Sequence, residues 1–214
     1  MLLVAQLERL AQPLAFNRAS TDCYHASQQR GGAGLTAIGH PYRRAALCNQ
    51  VMQFGTFSVE FEVIKIPGLL LLGVGRPGMD VGRVSAYTSA EFWGVSGNDG
   101  MMLHGGRSYR WAGQEGFCAG DIIGLRLDCS AGRLSFYKNG WLLGVPIQGD
   151  AGEEQQQQQQ EEQRLWLPRG QTLSWAVAMG RTGAAVKLMR APQLLMEMST
   201  PSAVPFVPVP LAPQ

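Results

Sequence analysis

The stretch 121–146, DIIGLRLDCSAGRLSFYKNGWLLGVP, constrains the fold more than any other part of the chain. Ile123, Leu125 and Leu127 alternate with Gly124, Arg126 and Asp128, the period-two pattern of a strand with one buried face. Ser130-Ala131-Gly132 supplies turn residues, after which Leu134 and Phe136 alternate with Ser135 and Tyr137. Asn139-Gly140 suits a two-residue hairpin turn, whose two central residues both need positive φ. Trp141 to Val145 returns as a third strand. Two consecutive hairpins with correct turn chemistry predict an antiparallel β protein.

Composition agrees. Charged residues are 16% of the 214, well under the roughly 25% of an average domain, and glycines number 27, which suits a turn-rich β fold. Phe57, Val59, Phe61 and Val63 alternate with Ser58, Glu60 and Glu62 in a second clean strand pattern. Leu69 to Val74 reads as a buried strand, Trp93 to Ser96 as another, and residues 75–92 as a long irregular connection between them. Gly97-Asn98-Asp99-Gly100 makes a turn before Met101 to His104. Leu173 to Met179 and Ala184 to Met189 form the closing pair. Trp93, Phe136 and Trp141 are expected in the core, as are Cys118 and Cys129.

The flanks differ in character. Residues 1–14 are expected to form a short helix or tail, with Leu3, Leu7 and Leu10 at helical spacing and Pro13 ending it. Residues 17–34, polar and Gly-rich, read as a loop, and their one Arg-Gly-Gly is no RNA-binding repeat. Residues 149–164 hold six consecutive glutamines flanked by four glutamates, an expanded loop with too little apolar surface to fold. Residues 191–214 carry six prolines, including Pro205 and Pro208 in a PxxP spacing without an adjacent Arg or Lys, and read as a Pro-rich tail. The folded unit is expected over residues 15–190.

Several chemistries are argued against. Gly73, Gly75 and Gly78 form a literal GxGxxG after an apolar strand, but no helical period follows, so turn glycines explain it better than a dinucleotide site. Glu60 and Glu62 share a strand face without a third acidic partner, an ordinary solvated face rather than a glycosidase pair. Ser96 misses the spacing of a nucleophile elbow. Four cysteines without a CxxC and three histidines make no zinc motif, so no metal or cofactor is expected. A net charge of +2 with scattered arginines argues against nucleic acid. The longest apolar run is too short and too broken by Pro67, Gly68 and Gly73 for a membrane span. With no secretory leader evident, the thiols are expected to stay reduced in the cytoplasm or nucleus.

The spacing of Gly120-Asp121, Gly124, Asp128, Gly132, Leu134 to Gly140 and Leu143-Gly144-Val145 resembles the signature half of the SPRY domain. Gly55 before the Phe57 to Val63 strand is similar to the family's pattern, as are the "IGV"-type strand at Leu69 to Val74 and Leu165-Trp166-Leu167-Pro168 against the family's "LYPA". Val95 replaces a second aromatic residue, and no PRY extension is recognisable in residues 1–34, so the resemblance is to the stand-alone type. It implies an all-β fold, a bent, concanavalin-like sandwich of two antiparallel sheets. It further implies a non-catalytic adaptor, monomeric by itself, that recognises a peptide or loop of another protein through loops at one end. Carried onto this chain, the contact residues are His40, Pro41, Tyr42, Arg43, Tyr87 and Trp111. A carbohydrate-binding or glycoside-hydrolysing sandwich and a scaffold or oligomerisation subunit are the alternative readings.

Overall fold

The computed structural model describes residues 13–29, 32–148 and 165–190. The expected terminal helix at 1–14 falls almost wholly outside them, and the Glu/Gln-rich insert and the Pro-rich tail fall entirely outside. Among the described residues, fifteen strands run in chain order. The first five are β1 (Phe16–Arg18), β2 (Tyr24–Gln29), β3 (Gly32–Ala37), β4 (Ala45–Met52) and β5 (Thr56–Lys65). Then come β6 (Leu70–Gly75), β7 (Phe92–Ser96), β8 (Met102–His104), β9 (Arg107–Tyr109) and β10 (Ile122–Asp128). The last are β11 (Arg133–Lys138), β12 (Trp141–Gln148), β13 (Leu165–Trp166), β14 (Leu173–Met179) and β15 (Ala185–Arg190).

These strands form two sheets, one of seven strands in the order β1-β4-β14-β6-β7-β8-β9 and one of eight in the order β13-β12-β11-β10-β5-β15-β3-β2. Neighbours are antiparallel except β12 and β13, which pair in parallel. The meander read from sequence is β10-β11-β12, and its turn takes the expected left-handed backbone, with φ of 52° at Asn139 and 85° at Gly140. Val59, Phe61 and Val63 face inward from β5 and are fully buried with Leu125, Phe136 and Trp175 between the sheets. Fully burying one such side chain contributes roughly 1.5–3 kcal/mol, so this layer holds the fold.

A second, smaller core explains why every residue of β6 and β14 is buried. Leu71, Ala176 and Ala178 point to the opposite face of the seven-stranded sheet, where Met79 and Ala86 of the 76–91 connection cover them. The irregular connection is therefore a packed cover. Two of the three GxGxxG glycines are tightly packed, whereas a Cβ on Gly78 would meet open space. A Cβ on Gly73 would lie 2.0 Å from the Trp93 carbonyl oxygen, and one on Gly75 would lie 2.9 Å from Met79 Sδ. The close approach of the neighbouring strand β7 at Gly73 and of the covering Met79 at Gly75, rather than phosphate binding, selects glycine at these two positions.

Three expectations need correction. Residues 17–34 are not a loop: β2 and β3 pair as a hairpin at the edge of the eight-stranded sheet, where an outer strand stays polar because its face and edge meet water. Trp141 is not core. It lies across from Lys138, which lies across from Ile123, and exposure along this row rises from none at Ile123 to 17% at the Lys138 side chain and 80% at Trp141. The row runs off the edge of the core, and register irregularities bend β12 along its pairing with β11. Cys118 is exposed, in a turn where its N–H donates to Asp121 Oδ2, whereas Cys129 is buried as expected.

Candidate partner-binding surface

The segment 38–44 leaves β3 through the Ile38 N–H bond to the Cys23 carbonyl and tightens into a turn closed by the Arg44 N–H on the Pro41 carbonyl, 2.8 Å. Its two central residues are Tyr42 and Arg43, with φ of 46° and 62°. Left-handed backbone costs an ordinary side chain about 1–2 kcal/mol per residue, and Asn139-Gly140 shows the residue types that normally adopt it. Contacts from elsewhere in the chain hold this turn. The Arg43 N–H donates to the Met179 carbonyl at 3.1 Å, and the Ala86 N–H donates to the Arg43 carbonyl at 2.7 Å. The Tyr24 hydroxyl, buried beneath, donates to the Arg44 carbonyl at 2.6 Å and accepts the Met179 N–H at 3.0 Å. Burial drives that hydroxyl well above the ordinary phenol range, so it stays a donor.

The packed cover brings the second loop alongside. Arg44 bridges to Ser85, and the Arg43 guanidinium carbon lies 5.2 Å from the Tyr87 ring centroid. The Tyr42 ring, 67% exposed, stands 5.8 Å from His40 and 5.9 Å from the Arg44 guanidinium carbon. Cys23, buried under the turn, accepts a bond from Arg44 Nη1 at 3.2 Å. His40, Tyr42, Arg43 and Tyr87 thus form one surface across two loops. Pro41 is buried at the base of the turn and shapes it.

Trp111 lies apart. Its indole N–H donates to the Gly100 carbonyl at 2.6 Å, and its ring packs 6.5 Å from Phe136 on the main core. Gly100 is in the β7–β8 turn, whereas Tyr87 accepts the Gly106 N–H in the β8–β9 turn. These turns lie at opposite ends of β8. Arg44, omitted from the sequence-derived set, belongs with Tyr42. The Arg43-Arg44 pair hinted at it, but nothing in the sequence places a cation beside that ring.

Among the described residues, no three His, Cys, Asp or Glu side chains are grouped to hold a metal ion. No described helix is long and apolar enough to cross a membrane. Burial raises the Glu60 carboxyl above its ordinary value, but Glu60 lies across from Gly124 and Met189, with no second carboxylate facing it across the sheet. Ser96 is buried, and its Oγ accepts the Asn98 N–H in a turn.

The two antiparallel sheets, packed around one main core, form a β-sandwich. Residues 55–158 match the family model of the SPRY domain, and the chain contains a SPRY domain, a family whose members generally mediate protein–protein interaction. The strands flanking that match complete the sheets, since β14 and β4 extend β6, and β15 and β3 extend β5. Among solved structures, the chain is similar to the SPRY domain of human HERC1, with a TM-score of 0.57 and 19% identity over 81% of this chain and 98% of that one. It is also similar to the TRIM65 PSpry domain, with a TM-score of 0.59 and 17% identity over 88% and 95%. A comparison with curated proteins finds no match.

Proposed function

We propose that this chain is a non-catalytic adaptor that recognises a peptide or loop of another protein through the surface formed by residues 38–44 and 84–88. The observation that carries the reading is the left-handed Tyr42-Arg43 pair. Backbone strain of this kind persists only where the surroundings over-determine it, and it concentrates at binding sites. Here it presents one tyrosine ring and one guanidinium, the residue types that most often dominate interface energetics. The sandwich occupies residues 15–190 in this reading and acts as a monomer. The four free thiols are compatible with a reducing compartment, the cytoplasm or nucleus.

An affinity capture with wild type and the Tyr42→Ala, Tyr87→Ala double variant tests the reading, with thermal unfolding as the control for folding. The variant should fold and lose the partners that wild type enriches. Equal retention by a folded variant would contradict the assignment, as would saturable glycan binding by wild type at this surface.

A further inference from the structure

We infer that the partner segment is acidic: it presents an Asp or Glu carboxylate to Arg43 beside an apolar group that packs on Tyr42. This rests on the surface proposed above and specifies what that surface selects. Segments 38–44, IGHPYRR, and 81–89, VGRVSAYTS, hold His40, Arg43, Arg44 and Arg83 and no Asp or Glu. The neighbouring turn 180–183 adds Arg181 and again no carboxylate. Asp80, just before the second segment, is engaged locally, its Oδ1 accepting the N–H groups of Gly82 and Arg83 at 2.9 and 3.0 Å. Asp22, whose carbonyl abuts Gly39, adds one exposed carboxylate, so the arginines of the three segments outnumber it in a local concentration of cations.

Arg43 is the member best placed to bind. Among the described residues both ion pairs use Lys138, and neither Arg43 nor Arg44 pairs with a carboxylate. Arg44 Nη1 is engaged by Cys23, whereas the Arg43 guanidinium lies over the Tyr87 ring and, among the described residues, makes no side-chain hydrogen bond or ion pair. A guanidinium resting on an aromatic face keeps its N–H edge available, and that edge matches a carboxylate with two parallel hydrogen bonds. Tyr42, 67% exposed, supplies flat area beside it. Three or four cations around one turn are too few for a nucleic acid, which needs a stripe tracking many phosphates.

The test is a selection of displayed, unmodified 12-residue peptides on the full chain, followed by affinity measurement of the selected peptides with variants. Enriched sequences should share an Asp or Glu at fixed spacing from an apolar residue. Arg43→Gln should weaken their binding by about tenfold or more, and Arg43→Lys should restore only part of it because the forked geometry is lost. Raising salt from 50 to 300 mM should weaken wild type and leave Arg43→Gln nearly unchanged. Enriched peptides that lack an acid overturn the carboxylate inference. If such peptides are still lost with Tyr42→Ala, the surface assignment stands without it. Peptides indifferent to both Tyr42→Ala and Arg43→Gln, or no enrichment at all, overturn both.

Discussion

The Arg43 guanidinium carbon lies 5.2 Å from the centroid of the Tyr87 ring, and this contact joins two loops that are distant in sequence. The backbone repeats the link, since the Ala86 N–H donates to the Arg43 carbonyl at 2.7 Å. Position and side chain therefore depend on each other. Moving the second loop would free Arg43 from its ring, and releasing the left-handed turn would remove the acceptor that holds the second loop.

That coupling predicts an asymmetric response at position 43. Arg43→Gly fits a φ of 62° without strain, so it should cost little stability. Arg43→Val places a β-branched residue in the same backbone and should be less stable than the glycine variant by about 1–2 kcal/mol. Urea unfolding of the two proteins compares them. Equal midpoints would show that the turn relaxes out of its left-handed state.

Tyr24→Phe removes one hydroxyl and leaves two buried backbone groups, the Arg44 carbonyl and the Met179 N–H, without their partner. About 2–3 kcal/mol of stability should be lost, and amide exchange should quicken through residues 42–44. Burial raises the Tyr24 hydroxyl's pKa in the folded state, so the folded chain holds that proton more tightly than the unfolded one. The resulting stability is complete below about pH 10 and lost as pH rises past it. The phenylalanine variant should lack that part of the alkaline loss.

The opposite limb of the pH profile belongs to Asp121. Partial burial alone would lift its carboxyl, but the Asn139 amide, the Cys118 N–H and Lys138 together hold it below the ordinary value. A depressed carboxyl contributes stability that is present above about pH 4 and lost as pH falls through its folded-state value. Asp121→Asn should cost about 1–2 kcal/mol near neutrality, with the gap to wild type closing in acid. A gap that stays constant down to pH 2 would show that charge is not its source.

Trp141 and Phe136, on adjacent strands of the meander, have opposite fates, 80% exposed and fully buried. Trp141→Ala should change stability by less than about 0.5 kcal/mol, whereas Phe136→Ala should cost about 3–5 kcal/mol. Thermal or urea unfolding separates these values easily. A large loss from Trp141→Ala would mean that the ring is covered in solution.

The parts of the fold legible in the sequence are those governed by local rules. Alternation marks Val59, Phe61 and Val63 as an inward row, and Asn139-Gly140 states its own turn. The exposure of Trp141 was not legible, because it depends on how far β12 extends past the core and where its pairing with β11 shifts. Nor were β2, whose polar residues carry no periodic signal at a sheet edge, and β3, whose short Gly- and Ala-rich run is buried between β15 and β2. His40, Tyr42, Arg43 and Tyr87 came from family resemblance. Their convergence rests on Met79 and Ala86 packing across the outer sheet face, which neither loop's own sequence announces. The left-handed turn was equally hidden, since Tyr and Arg do not signal positive φ and the bonds that impose it come from Ala86 and Met179.

Amide hydrogen exchange of the full chain, with and without a saturating selected peptide or captured partner, tests the central claim most directly. The account predicts added protection concentrated in residues 38–44 and 84–88, with the β7–β8 turn near Trp111 and the hairpin tip at 139–142 unchanged. Protection confined to either of those two regions, with both loops unaltered, would contradict it.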